Sequence, residues 1–200
     1  MKIIFATGNE NKMREVREIL GTSYEEIISM KEAGITSEAE ENGSSFAENA
    51  LIKARDVASR IKGSDAVIVL ADDSGLEVDA MNGEPGIRSS RFMGEDTPYT
   101  VKNHAIIDRL NASPEKPRTA RFRCVIAAVL PDGREYTTDG VIEGTIGFEE
   151  KGSRGFGYDP IFIPLGSTRS TAELSAEEKN AVSHRGNALR AMKSLLKKEL

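Results

Sequence analysis

The chain has 200 residues but only one cysteine and two histidines. A single thiol cannot form an internal disulfide. Cys124 lies in the apolar stretch CVIAAVL, which favours a buried, inert side chain. Zinc sites are built mainly from Cys and His, so a zinc site is not expected. Any bound metal should lie on oxygen ligands, which favours Mg²⁺, Mn²⁺ or Ca²⁺.

The sequence also lacks a long apolar segment and an excess of positive charge. No run approaches the roughly 18 apolar residues of a membrane helix. The start, MKIIFATGNENK, has too short an apolar part for a signal peptide. We therefore expect a cytoplasmic protein with a native N-terminus and no membrane partner. The net charge of −5 argues against broad nucleic-acid binding, which needs a basic face. A small anion would need only a local cluster of Lys and Arg.

What the sequence does contain is an alternation of apolar strands and amphipathic helices. With 38% apolar and 30% charged residues, it can build a core in one domain or two small lobes. Ser45 and Glu48 form a capping box before the second helix, and Gly63 should end it. Residues 31–45 are predicted to form an acidic loop. We expect an α/β fold with a mixed sheet, with strands at 2–6, 66–71, 119–130, 135–139, 140–148 and 161–164 and helices at 12–20, 46–62, 98–110 and 175–200.

The first predicted strand runs into the loop TGNENK, residues 7–12. Backbone N–H groups at the start of a helix bind phosphate well, and Lys12 adds a positive charge. The P-loop and dinucleotide-binding motifs are both absent. Taken alone, the loop is better explained as an ordinary turn in which an asparagine caps the helix.

The stretch VLADDSGLEVDA, residues 69–80, places two carboxylates side by side at Asp72 and Asp73. We expect the strand to end there, so that the turning chain brings both side chains to one spot. Two close like charges raise one pKa unless a cation neutralises them. A divalent metal would do so, with further oxygen ligands from the acidic loop at Glu38, Glu40 and Glu41. The alternative is a solvated turn in which an aspartate caps the loop. Glu77 and Asp79 lie beyond the turn and are expected on a solvated edge.

A glycine-rich loop, RGFGYDP, occupies residues 154–160. Glycines let the backbone approach a ligand closely. Phe156 and Tyr158 offer aromatic faces and Asp159 an acceptor, so a flat base would fit. A loop whose aromatic side chains pack into the core explains the pattern equally well.

The segment EEKNAVSHRGNAL, residues 177–189, carries polar residues within a predicted C-terminal helix. Lys179 and Ser183 are four residues apart and would share one helix face. His184 and Arg185 precede a glycine, a weak helix position that could break the helix. In isolation, a solvated helix face is the simpler interpretation.

These motifs occur together and in a fixed order. FATGNENKMREV, ENGSSFAENALIKA, LADDSGLEVDAMNGEPGIRSSRF, GFGYDPIFIP and AEEKNAVSHRGNAL together resemble the inosine triphosphate pyrophosphatase family, also called XTP/dITP diphosphatases. The resemblance covers nearly the whole chain, and stretches 21–37 and 99–120 contribute little to it.

The resemblance implies an activity and an architecture. Such enzymes hydrolyse the noncanonical purine nucleotides ITP, dITP and XTP to the monophosphate and pyrophosphate, and so cleanse the nucleotide pool. They require Mg²⁺, for which Mn²⁺ can substitute, and usually act as homodimers. The implied structure is a single pyrophosphatase domain over residues 1–200, elongated and two-lobed, with a central mixed sheet and an active-site cleft between the lobes.

The resemblance also implies residue roles. Asp73 would be the general base and a metal ligand, Asp72 would support it, and Glu40 or Glu41 would complete the metal site. A donor from Arg185 or a backbone N–H would recognise the 6-keto oxygen of the base. The substrate contacts would be Thr7, Gly8, Asn9, Glu10, Asn11, Lys12, Lys53, Ser74, Phe156, Gly157, Tyr158, Asp159, Lys179, Ser183, His184 and Arg185.

Two alternatives remain open from the residues. One is a nucleotide-binding module without catalysis, which would bind ITP and form no product. The other is a related pyrophosphatase that acts on pyrimidine or modified nucleotides, since its metal chemistry could be shared.

Overall fold

The computed structural model describes residues 1–37, 39–61 and 66–200. Within these ranges the chain forms six strands and five α-helices. The strands are β1 (Lys2–Phe5), β2 (Glu26–Ser29), β3 (Val67–Val78), β4 (Thr119–Val129), β5 (Glu135–Ile146) and β6 (Phe162–Pro164). The helices are α1 (Glu10–Leu20), α2 (Phe46–Ser59), α3 (Tyr99–Asn111), α4 (Ala176–Val182) and α5 (His184–Glu199).

The strands form one mixed sheet in the order β2-β1-β3-β4-β5-β6. β1 runs parallel to both β2 and β3, with Ile3 beside Ile27 and Ile68. β5 and β6 are antiparallel, with Gly144 beside Pro164. This arrangement confirms the predicted α/β class and the mixed sheet.

The chain divides into two compact units, each with its own apolar core. Unit 1 comprises Met1–Asp73, Cys124–Gly140 and Arg185–Leu200, and unit 2 comprises Ser74–Arg123 and Val141–His184. Cys124 is buried in the first core, as predicted. The core of unit 1 includes Ile3, Phe5, Val16, Leu20, Ile68, Leu70, Ile126, Leu189 and Leu196. The core of unit 2 includes Leu76, Val78, Met81, Ile106, Leu110, Phe122, Tyr158, Ile161 and Phe162.

Several predicted elements differ in extent from the observed ones. No strand was predicted at β2, because its sequence, EIIS, is only four residues long. It forms a strand by pairing with β1 through backbone hydrogen bonds. The predicted strands 135–139 and 140–148 are a single strand, since the ladder continues through Gly140. α2 ends at Ser59 rather than at residue 62. The predicted stop at Gly63 lies outside the described residues.

The predicted C-terminal helix is two helices. α4 ends at Val182, and Ser183 has an extended backbone (φ −66°, ψ 153°) before α5 begins at His184. The break therefore lies at Ser183, three residues before Gly186, the glycine at which a break was predicted. None of the described helices is both long and apolar enough to cross a membrane.

Candidate active site

The two adjacent aspartates lie inside a strand and not at its end. β3 continues from Val67 through Asp72 and Asp73 to Val78, so the prediction that the strand ends at the aspartates is wrong. Because neighbouring residues in a strand point to opposite faces, each carboxylate meets its own set of partners. Glu77 is likewise within β3, and Asp79 begins a short 3-10 turn and pairs with Arg121.

Asp72 is held by basic side chains. Its Oδ1 lies 3.0 Å from Lys12 Nζ, and its Oδ2 accepts from Arg185 Nη2 at 3.0 Å and Nε at 3.2 Å. The carboxylate is only 1% exposed. Burial alone would raise its pKa, but Lys12, Arg185 and Lys53 together hold the pKa of Asp72 far below its usual range. Asp72 is therefore ionised at neutral pH and anchors these basic side chains.

Glu15 completes this group and was missed by the sequence reasoning. Its Oε2 accepts a hydrogen bond from Arg185 Nη1, and both side chains are buried. Although burial alone would lower it, the pKa of Arg185 is raised by Asp72 and Glu15. A signal was present, since Glu15 lies three residues after Lys12 and shares its face of α1.

Asp73 has a different environment. Lys53 Nζ lies 3.2 Å from its Oδ1, and Asn49 Nδ2 donates to its Oδ2 at 3.3 Å. Burial is the largest cause that raises the pKa of Asp73, and the nearby charge of Glu41 adds to it, against the opposing effect of Lys53. A carboxylate with a raised pKa is a better proton acceptor, as a general base requires.

Lys53 joins Asp73 to the acidic loop. Its Nζ lies 3.4 Å from Glu41 Oε1 as well as 3.2 Å from Asp73 Oδ1. Burial would lower the pKa of Lys53, but Asp73, Asp72 and Glu41 raise it. The structure thus brings Glu41 to Asp73, whereas Glu40 is exposed. The third predicted ligand, Glu38, lies outside the described residues.

This donor set fits a hard divalent cation. Mg²⁺ commonly takes only one or two carboxylates from the protein and completes its shell with water and substrate phosphates. Glu41 and Asp73 supply two carboxylates on either side of one ammonium group. The described residues contain no cluster of three or more His, Cys, Asp or Glu that could hold a metal by itself.

The loop of residues 7–12 starts α1 in the way that its composition predicts. The side chain of Asn9 caps the helix by accepting from the backbone N–H groups of Asn11 and Lys12. The hydroxyl of Thr7 accepts from Asn9 N–H at 3.1 Å. Gly8 and Glu10 are exposed. The cap therefore engages two of the backbone donors that were expected to bind phosphate.

Unit 2 contains a second polar group, centred on the buried carboxylate of Asp159. Lys179 Nζ lies 2.6 Å from its Oδ2, and Thr171 Oγ1 lies 2.9 Å from its Oδ1. Phe156 N–H also donates to Oδ2, at 2.8 Å. The Lys179 ammonium lies 4.8 Å from the centre of the Phe156 ring. The Asp159 carboxylate therefore accepts hydrogen bonds from three donors and holds the loop of residues 154–159 in place.

The other predicted base contacts occupy different positions. Tyr158 is buried in the core of unit 2 and donates its hydroxyl hydrogen to the Ser89 carbonyl at 2.8 Å. His184 stacks on Phe122, with ring centres 4.8 Å apart. Ser183 is buried at the break between α4 and α5. Ser74 is partly exposed, and the Gly157 carbonyl accepts from Asn103 Nδ2.

Together, the fold and these groups define an α/β protein in which buried aspartates are paired with lysine and arginine side chains. The chain belongs to the Ham1 family, whose model matches residues 3–195. A protein of Exiguobacterium sibiricum named dITP/XTP pyrophosphatase is 43% identical over 196 residues, covering 98% of this chain and 97% of the relative.

Solved structures agree with this assignment. The Ham1 protein of Staphylococcus aureus superposes with a TM-score of 0.86 at 36% identity, covering 100% of both chains. A HAM1 protein of Coxiella burnetii gives a TM-score of 0.85 at 39% identity, covering 99% of both chains. These comparisons confirm the family resemblance that the five motifs indicated.

Proposed function

We propose that this protein hydrolyses the noncanonical purine nucleotides dITP, XTP and ITP to the nucleoside monophosphate and pyrophosphate. Relatives of similar length that carry the name dITP/XTP pyrophosphatase support the substrate class. The observation that carries the reaction is the setting of Asp73, a buried carboxylate beside a lysine and a second carboxylate. Such a group can take a proton from water next to a polyanion.

The triphosphate is the part of the substrate that unit 1 would bind. The ammonium groups of Lys12 and Lys53 supply positive charge on α1 and α2, and Asp72 and Asp73 fix their positions. Arg185 donates hydrogen bonds to Asp72 and Glu15, so we assign it to holding Asp72. The donor for the 6-keto oxygen of the base is then a backbone N–H.

Glu41 and Asp73 would hold the metal, for which we propose Mg²⁺ with Mn²⁺ as a substitute. When bound, a hard divalent cation neutralises phosphate charge and lowers the pKa of water. Lys53, which lies between the same two carboxylates, would supply positive charge for the phosphates beside this metal site.

The proton transfer then falls to Asp73. Its carboxylate accepts a proton from the attacking water, the water oxygen forms a bond to the α-phosphorus, and the bond from that phosphorus to the bridging oxygen breaks. Pyrophosphate leaves with the bonding electrons. Asn49 Nδ2, 3.3 Å from Oδ2, fixes the orientation of the carboxylate during the step.

The purine would bind at the loop of residues 154–159 in unit 2. Phe156 is partly exposed, and its ring offers a surface on which a flat base can stack. A backbone N–H that donates to a 6-keto oxygen would be left unpaired by the 6-amino group of adenine, which penalises ATP.

The proposal also includes a single two-lobed domain with a substrate cleft, a homodimer and a cytoplasmic location.

A pyrophosphate-release assay over a substrate panel tests this function. With Mg²⁺, dITP, XTP and ITP should release pyrophosphate, whereas ATP and dUTP should react slowly. Preference for a pyrimidine would overturn the substrate class, and binding of ITP without product would indicate a binding module. Sedimentation velocity would test the dimer in the same preparation.

The catalytic assignment has its own test. Asp73→Asn should lower kcat by about 100-fold or more, the range expected on loss of a general base. Asp108→Asn, which changes an exposed aspartate of α3, is the matched control and should leave kcat unchanged. Full activity of Asp73→Asn would refute the mechanism.

A further inference from the structure

We propose that Thr171 is a positioning residue that holds the purine-binding loop, residues 154–159, in its binding conformation. The inference rests on the proposed function, because it assumes that this loop receives the base. Thr171 does not belong to any of the motifs that suggested the activity. It is brought to the loop by a short 3-10 turn, Thr171–Glu173, that precedes α4.

The contact between Thr171 and the loop is buried and specific. Its hydroxyl oxygen lies 2.9 Å from Asp159 Oδ1 and 3.0 Å from the Asp159 carbonyl oxygen. Thr171 and Asp159 are each 3% exposed. A buried acceptor that loses its donor costs free energy, because water does not replace the lost bond. The single hydroxyl therefore constrains the side chain and the backbone of Asp159 together.

The turn that carries Thr171 is itself anchored. Ser170 caps it in a capping box with Glu173, and the hydroxyl of Ser170 donates to the Lys151 carbonyl at 2.6 Å. These bonds fix the backbone on both sides of Thr171. The hydroxyl thus acts as a stationary donor to which Asp159 is attached.

The position of the Asp159 carboxylate in turn determines the shape of the loop. Its Oδ2 accepts from Phe156 N–H and pairs with Lys179 Nζ. The chain also wraps closely around it at Gly155, where a Cβ atom would lie 2.1 Å from Oδ2. Because Lys179 Nζ lies 4.8 Å from the Phe156 ring, a shift of the carboxylate would move both the loop backbone and the cation behind the ring.

Thr171→Val removes the hydroxyl and keeps the branched shape, whereas Thr171→Ser keeps a hydroxyl. Thr138→Val is the matched control, since the Thr138 hydroxyl donates to the Ala188 carbonyl at 2.9 Å in unit 1. Each variant is assayed for kcat and KM with dITP, and for inhibition by inorganic tripolyphosphate, which has phosphates but no base. Thermal unfolding reports whether each variant is folded.

For Thr171→Val we expect KM for dITP to rise by about tenfold, the effect of losing one buried hydrogen bond. The values of kcat and of the tripolyphosphate inhibition constant should stay unchanged, because the phosphate ligands lie in unit 1. Thr171→Ser keeps the hydroxyl and should therefore keep the wild-type KM. Thr138→Val should also leave KM unchanged. If Thr171→Val does not fold, Thr171→Ala makes the same test with a smaller side chain.

Two failures are distinguishable. Wild-type protein that releases no pyrophosphate from dITP would refute the proposed function. Active wild-type protein whose Thr171 variants keep the wild-type KM would refute this inference alone. An equal rise in KM and in the tripolyphosphate inhibition constant would also refute it, because a general loosening of the protein would then explain the result.

Discussion

At the scale of single residues, the adjacent aspartates Asp72 and Asp73 have pKa values that are shifted in opposite directions. The pKa of Asp72 is lowered because Lys12, Arg185 and Lys53 outweigh its burial, whereas that of Asp73 is raised because burial prevails. A strand sends the two side chains to opposite faces, so their hydrogen-bond partners differ although the charges of Lys12 and Lys53 act on both. The sequence could identify the pair as functional, but the roles of its members depend on partners distant in the chain.

Asp72 should matter chiefly for stability. Asp72→Asn removes one of the charges that compensate the buried Arg185, and loss of one partner of a buried pair costs about 3–5 kcal/mol of unfolding free energy. Urea denaturation would measure this loss. The matched control is Asp132→Asn, whose pair with Arg134 is exposed, and it should change stability little. Equal effects of the two substitutions would contradict the account of Asp72.

The lowered pKa of Asp72 also predicts a dependence of stability on pH. A depressed pKa in the folded state stabilises the protein above the unfolded-state value of about 3.9. That contribution is lost as pH falls below this value and through the folded-state pKa. Unfolding free energy of the wild type should therefore fall more steeply below about pH 4 than that of Asp72→Asn. Parallel acid profiles for the two proteins would show that Asp72 has no such linkage.

At the scale of elements, apolar runs predicted most strands and helices, and the errors have physical causes. β3 extends beyond its predicted end because its acidic residues are neutralised by distant cations, which a local pattern does not reveal. The predicted C-terminal helix breaks at Ser183, whose identity alone does not forbid a helix. β2 has only four residues, of which two are apolar, so its sequence does not show the alternation that predicts a strand.

The glycine-rich loop offers a test at this scale. Gly155 (φ +73°) and Gly133 (φ +86°) both have backbone conformations that disfavour a side chain. A Cβ at Gly155 would also meet the Asp159 carboxylate at 2.1 Å, whereas nothing lies within 4 Å of one at Gly133. Gly155→Ala should therefore raise KM for dITP several-fold and Gly133→Ala should leave it unchanged, as initial rates over a range of dITP concentrations would show. Similar KM values for the two variants would mean that the loop adapts.

At the scale of the whole molecule, the order of five motifs was the most informative feature of the sequence. It predicted the family that the comparisons confirm. It did not reveal the partners of Glu15 and Thr171, because each partner lies more than ten residues away in the chain. Nor could it predict that Arg185 holds Asp72, since that contact joins residues 113 positions apart.

The central claim is that water attacks the α-phosphorus of the substrate. Hydrolysis of dITP in ¹⁸O-labelled water, followed by mass spectrometry of the products, tests it most directly. We predict one ¹⁸O atom in the deoxyinosine monophosphate, unlabelled pyrophosphate and no orthophosphate. Label in the pyrophosphate, or release of orthophosphate with the diphosphate, would place the attack at another phosphorus and contradict the account.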